Sequence, residues 1–179
     1  MSATLRYGMI TAFVLIILSL IGSLIGPALG ILSGILMISA FTFMIVRGMK
    51  ERRDAELGGT MTYGRALGTG MMIALMCGLI YGCYTGLGIK FWEGENLEKQ
   101  KEQIFDEYER QLDDGEITQK DYEMMVEVTE FFLTPVFLAI STVISFLFGG
   151  LIVSLIAAAF AKRDPPPVIQ GVSPPEEFR

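Results

Sequence analysis

At 179 residues, the chain has the length of one domain, yet 51% of it is apolar and the apolar residues gather into long uncharged runs. Histidine is absent, which removes the usual general base near neutral pH and the commonest transition-metal ligand. The net charge of −6 conceals a division: residues 90–130 hold fourteen acids against five bases, whereas the remainder holds nine bases against six acids.

The first uncharged run follows Arg6 and spans Tyr7 to Ile25. It exceeds the ~7–15 apolar residues of a signal-peptide core and leads directly through Gly26 and Pro27 into a second run, so a retained membrane helix is expected over about 5–25. The second run predicts a helix over about 28–47, making a tight hairpin with the first. Gly22, Gly26, Gly30 and Gly34 step by four across this junction, but Pro27 interrupts any common helical face.

Arg47, Lys50, Arg52 and Arg53 arrive together after the second run, and Arg65 follows. In a four-pass arrangement Arg6, Lys162 and Arg163 share their side, which marks it as cytoplasmic and puts both termini there. Topology accounts for this cluster without a nucleic-acid or anionic-lipid role.

The third helix, about 64–91, carries a small residue at every fourth position: Ala66, Gly70, Ala74, Gly78, Gly82 and Gly86. Such a ridge lets another helix approach backbone to backbone in lipid, where hydrophobic drive between helices is missing. These six are the candidate helix-packing residues. Each four-residue step turns the ridge by ~40°, so a straight partner would lose it. At least two partners are expected, one against Ala66 to Ala74 and another against Gly78 to Gly86.

Residues 93–133 form the one sizeable polar region and predict an extracytoplasmic acidic helical hairpin. Leu97, Ile104, Phe105, Tyr108 and Leu112 give one apolar stripe, and Tyr122, Met125, Val126, Thr129 and Phe132 give the other. Thr118 with Asp121 reads as a capping box, and Thr134 with Pro135 as the start of the fourth helix, about 135–162. The domain plan is a transmembrane unit over 1–163 with this hairpin inserted between its third and fourth helices. Pro165, Pro166, Pro167, Pro174 and Pro175 predict a disordered cytoplasmic tail over 164–179.

No constellation for chemistry emerges. Cys77 and Cys83 are six apart on one helix and cannot pair, so both read as small core residues. The turn at Gly115 fails as a calcium loop because Arg110 and Leu112 stand where carboxylates are needed. Glu98, Glu102, Asp106 and Glu109 share a helix face that reads first as solvated and only second as a cation site. Gly58, Gly59 and Gly64 lack the Gly-Lys-Ser/Thr ending of a phosphate loop. The four runs contain no charge of the kind that marks ion-coupled transport.

Two stretches carry a family resemblance. Gly58-Gly59-Thr60-Met61-Thr62-Tyr63-Gly64-Arg65-Ala66 resembles the Gly-Gly, Ser/Thr-aromatic-Gly-basic segment opening the third helix of DUF4199, a domain-of-unknown-function family of bacterial, mainly Bacteroidetes, multi-pass membrane proteins. Gly150-Leu151-Ile152-Val153-Ser154-Leu155-Ile156 resembles that family's final helix before its basic stop. The resemblance covers essentially the whole chain, apart from the longer proline-rich tail. It implies a location in the bacterial inner membrane and brings no activity, ligand or catalytic residue.

The expectation is therefore an all-α polytopic membrane protein with four transmembrane helices and an acidic extracytoplasmic hairpin. It has no catalytic, cofactor-binding or metal residue, and it is not an enzyme. Its partners are the lipid bilayer and a second copy or another membrane protein, with no nucleic acid. A structural, assembly or accessory subunit is the first functional reading. A small channel or solute-permeation protein lined by serines and threonines of the second and fourth helices is the alternative, and a sensor using the acidic hairpin stands third.

Overall fold

The computed structural model describes residues 2–25 and 30–163, so the Gly26–Pro27 link and the proline-rich tail lie outside the described residues. Those described are helical almost throughout. Helix α1 is Ala3–Ile25, α2 is Gly30–Glu51, α3 is Tyr63–Gly88, α4 is Gly94–Asp113, α5 is Gln119–Phe132 and α6 is Pro135–Ala161. Four of these, α1, α2, α3 and α6, are long and apolar enough to cross a membrane.

The second helix does not stop at the basic cluster. It runs to Glu51 and continues as a π-helical turn, Arg52–Glu56. Acids placed among the bases make this continuation stable: Glu51 pairs with Arg6, and Arg52 Nε lies 3.6 Å from Glu56 one turn later. Gly58 and Gly59 then turn the chain at φ of 63° and 85°, values that only glycine adopts cheaply. Thr62 caps α3 by accepting from the Arg65 amide, and α3 likewise ends in a π-helical turn, Ile89–Glu93.

Helix α3 occupies the centre. It packs most heavily on α6, then on α1, and touches α2, while α2 also contacts α1 and α6. About twice as much of its apolar window is buried as in any other span, 44% against 17–22%. The core is made of Ala12 and Leu15 from α1, Phe41, Ile45 and Met49 from α2, Ile73, Ala74 and Cys77 from α3, and the alanines near the end of α6. Small residues prevail at the contacts and large ones point outward. On α6, Val136, Ile140, Ile144, Phe148, Ile152, Ile156 and Phe160 form an exposed row at four-residue spacing. An apolar row of that length facing outward is costly in water and stable in hydrocarbon.

Helices α4 and α5 are joined through a turn in which Gly115 takes φ 72°. Thr118 caps α5, and a full capping box forms with Asp121. The Tyr108 and Thr129 hydroxyls meet at 3.2 Å, and Tyr122 donates to Glu109 at 3.4 Å. No residue of either helix is buried. Phe132, assigned by the sequence pattern to the stripe facing α4, is half exposed. It stacks edge-on against Phe137 of α6 instead, with ring centroids 4.6 Å apart. Only Leu133 and Thr134 separate α5 from α6, so the ring lies over the first turn of the next helix.

Candidate functional site

The six ridge residues of α3 fall on the surface that meets α6. A methyl group built at Gly86 would lie 3.1 Å from Ala139 Cβ, and one at Gly82 would lie 2.9 Å from the Ala139 carbonyl and 2.8 Å from Val143 Cγ2. At Gly78 it would meet Phe146 Cβ at 3.0 Å. Ala74 stands against Gly150, where a methyl would overlap its side chain, and Gly70 is closed by Ser154 and by Met49 of α2. Ala66 is fully buried in the same cluster as Ala157, Ala158 and Ala161.

A single helix therefore follows the ridge from Gly86 to Gly70, where at least two partners, one for each half, were expected; α2 joins it at Gly70 through Met49. The reason lies in α6. Its contact residues are Pro135, Ala139, Val143, Phe146, Gly150 and Ser154, which also step by four at all but one place, so both rows drift in the same sense and the two helices can wrap around each other instead of running straight.

Hydroxyl groups within the spans are mostly used by their own helices. Thr11 donates to the Tyr7 carbonyl at 2.6 Å, Thr85 to Tyr81 at 3.0 Å, and Ser141 and Thr142 both to Leu138 at 3.0 and 2.7 Å. A cavity of about 360 Å³ between α1, α2 and α6 is lined by Leu15, Met37, Phe41 and Phe146, with Ser145 at its wall. Cys77 and Cys83 are both free thiols, Cys77 buried and Cys83 exposed. Among the described residues no three acids or cysteines converge on a metal-sized site. In the acidic face of α4, Glu98 is paired with Lys101 at 2.9 Å.

The end of the bundle where α1 and α3 begin and α2 and α6 finish is a bonded cluster that sequence spacing did not reveal. Tyr7 donates to Glu51 at 2.7 Å, and the Ala3 amide at the start of α1 donates to Glu56. Arg52 Nη1 donates to Thr69 at 2.8 Å, and Thr69 donates onward to the Arg65 carbonyl at 2.6 Å. Arg53 Nη1 donates to the Ala161 carbonyl at 3.3 Å, placing a cation at the negative end of α6. Met61 and Arg163 exchange two backbone hydrogen bonds of 2.9 Å, tying the α2–α3 connection to the residues after α6. The acids Glu51 and Glu56 were the available signal, since with Asp54 they are the acids placed within the basic stretch. Their partners, however, are distant in sequence.

Outside the spans, Asp121 has its carboxyl held below the usual range by the Thr118 hydroxyl and then by the Thr118 amide. The Tyr122 phenol is raised by desolvation first, and then by the charge and hydrogen bond of Glu109.

No curated protein and no solved structure matches the chain. The family described as "Protein of unknown function (DUF4199)" matches residues 6–163, which is most of the chain, and the protein belongs to that family.

Proposed function

We propose that this protein is a non-enzymatic structural, assembly or accessory subunit of a bacterial inner membrane, with both termini cytoplasmic and α4–α5 as an acidic extracytoplasmic hairpin. One observation carries the reading: the machinery of the bundle is close helix contact, concentrated where Gly78, Gly82 and Gly86 meet Val143 and Ala139. The orientation rests on Arg6, Arg47, Lys50, Arg52, Arg53, Arg65, Lys162 and Arg163 gathering at one end of the bundle, the arrangement favoured on the cytoplasmic face. A subunit role also fits α4 and α5, in which the chain fully buries no residue and leaves Met124, Val128, Phe131 and Phe132 exposed.

Affinity purification of the full chain from native membranes tests the proposal. A stoichiometric membrane-protein partner, or a defined homo-oligomer, is the expected result. A monomer without partners that gives reproducible conductance in liposomes would replace it with the permeation reading.

A further inference from the structure

Helix α5 carries more apolar surface than the hairpin uses. Tyr122, Met125, Val126 and Thr129 are half-buried on the side where Tyr108 and Glu109 of α4 bond to it. Met124, Val128 and Phe131 form a second row at helical spacing, and all three are exposed, at 52%, 46% and 63%. On α4 the apolar side chains Leu97, Ile104, Phe105 and Leu112 are half-buried. One apolar row on each helix is enough to close a two-helix hairpin, so the second row of α5 is left for something outside the chain.

The position of the row narrows what covers it. Phe131 stacks with Phe137 at the start of α6, with ring centroids 5.4 Å apart, which accounts for that end at the rim of the spans. Val128 and Met124 continue the row away from α6, Met124 by about 10 Å along the helix. Helices that lie on a bilayer carry Lys and Arg beside their apolar face, whereas α5 has four acids and the single base Lys120, one turn before Met124. A second copy would bring the same excess, fourteen acids against five bases over residues 90–130.

Glu123, Glu127 and Glu130 line one flank of the row at the same spacing, and all are exposed. The bases of α4 are spent within that helix: Lys99 pairs with Glu95, Lys101 with Glu98 and Arg110 with Glu107. Among the described residues no base pairs with the three carboxylates beside the row; Glu123 accepts from the Gln119 amide at 3.1 Å. An apolar row with an unneutralised acidic flank is complementary to an amphipathic helix whose own apolar row is flanked by Lys or Arg. Such a helix would cover the side chains and supply the missing cations in one contact.

We propose that the face of α5 made by Met124, Val128 and Phe131 docks a basic amphipathic helix of another protein, with its apolar residues on this row and its bases on Glu123, Glu127 and Glu130. The inference rests on the subunit reading above and names the chemistry of the partner.

The test places a benzophenone side chain at Met124 of the full chain in its native membranes, and photolysis reads what lies on the row. One discrete protein adduct is expected, and its cross-linked peptide should carry Lys or Arg beside apolar residues at helical spacing. Glu127→Lys with Glu130→Lys should cut the adduct by about tenfold through like-charge repulsion, with thermal unfolding of the purified chain unchanged. Val128→Asp should cut it as well, and it carries the test if the charge-reversed chain is not produced. An adduct with lipid or with a second copy, a cross-linked peptide without bases, undiminished yield in the folded variants, or no adduct would each overturn the proposal. Co-purification with wild type separates the two failures: a stoichiometric partner or defined oligomer that persists beside any of these results leaves the subunit reading standing, and its absence removes that reading too.

Discussion

A methyl group is the unit that decides the α3–α6 contact. At Gly82 it would press on the Ala139 carbonyl at 2.9 Å, and backbone cannot swing aside as the end of a long side chain can. At Gly70 one of the obstructing atoms is the Met49 terminal methyl, which can move. At Gly68, off the ridge on the same helix, nothing lies within 4 Å. Gly82→Leu should therefore lower stability in detergent by at least ~1–3 kcal/mol, the usual cost of overpacking, whereas Gly68→Leu should leave it nearly unchanged. Thermal unfolding of the two variants side by side checks this, and equal midpoints would remove the ridge from the account. The four-residue spacing of these glycines was legible because it is local. That Gly150 answers Ala74 was not, because register between helices is set by residues far apart along the chain.

At the level of elements, caps were the most readable feature. Thr118 and Asp121 lie three residues apart and need only each other, and Thr134 with Pro135 opens α6 in the same local way. Asp121 gives the α5 start a pH dependence with a definite sign. Its folded carboxyl sits below the ordinary value of ~3.9, so its contribution is complete above that value and is lost as pH falls through the lower folded one. Hydrogen exchange on the full chain should show the first turn of α5 opening as the pH drops below ~4, and Thr118→Ala should open it at neutral pH by removing about 1 kcal/mol of capping. Protection that stays constant across this range would refute the assignment. The continuation of α2 through Arg52–Glu56 was illegible for the opposite reason. A run of bases reads as a loop until Arg6 and Tyr7, from another helix, are seen to hold Glu51.

Across the whole molecule, charge and fold agree on polarity: the eight bases of the bundle meet at one end, and α4 and α5 leave from the other. Alkaline phosphatase fused after Lys120 should be active in a bacterial host and inactive when fused after Arg163, because the enzyme folds only outside the cytoplasm; the reverse pattern would invert the orientation. Helix number and membrane character could be read from apolar runs alone, since the bilayer sets their length. The central position of α3 could be read from its small residues. That α6 follows the row from Gly86 to Gly70 could not, because it depends on a matching row within α6, far along the chain.

The distance along the chain between α3 and α6 has a consequence for how the protein is made. Synthesis proceeds from the N-terminus, so α3 is in the bilayer while α4 and α5 are still being translated. Until the last span arrives, the glycine row lacks its α6 partner, and Met49 of α2 can cover its Gly70 end. The newborn protein is thus an incomplete bundle with its most adhesive surface bare, open to a chaperone, an insertase or a neighbouring copy. Entry of α6 ends that interval, and the Met61–Arg163 bridge can form only after it.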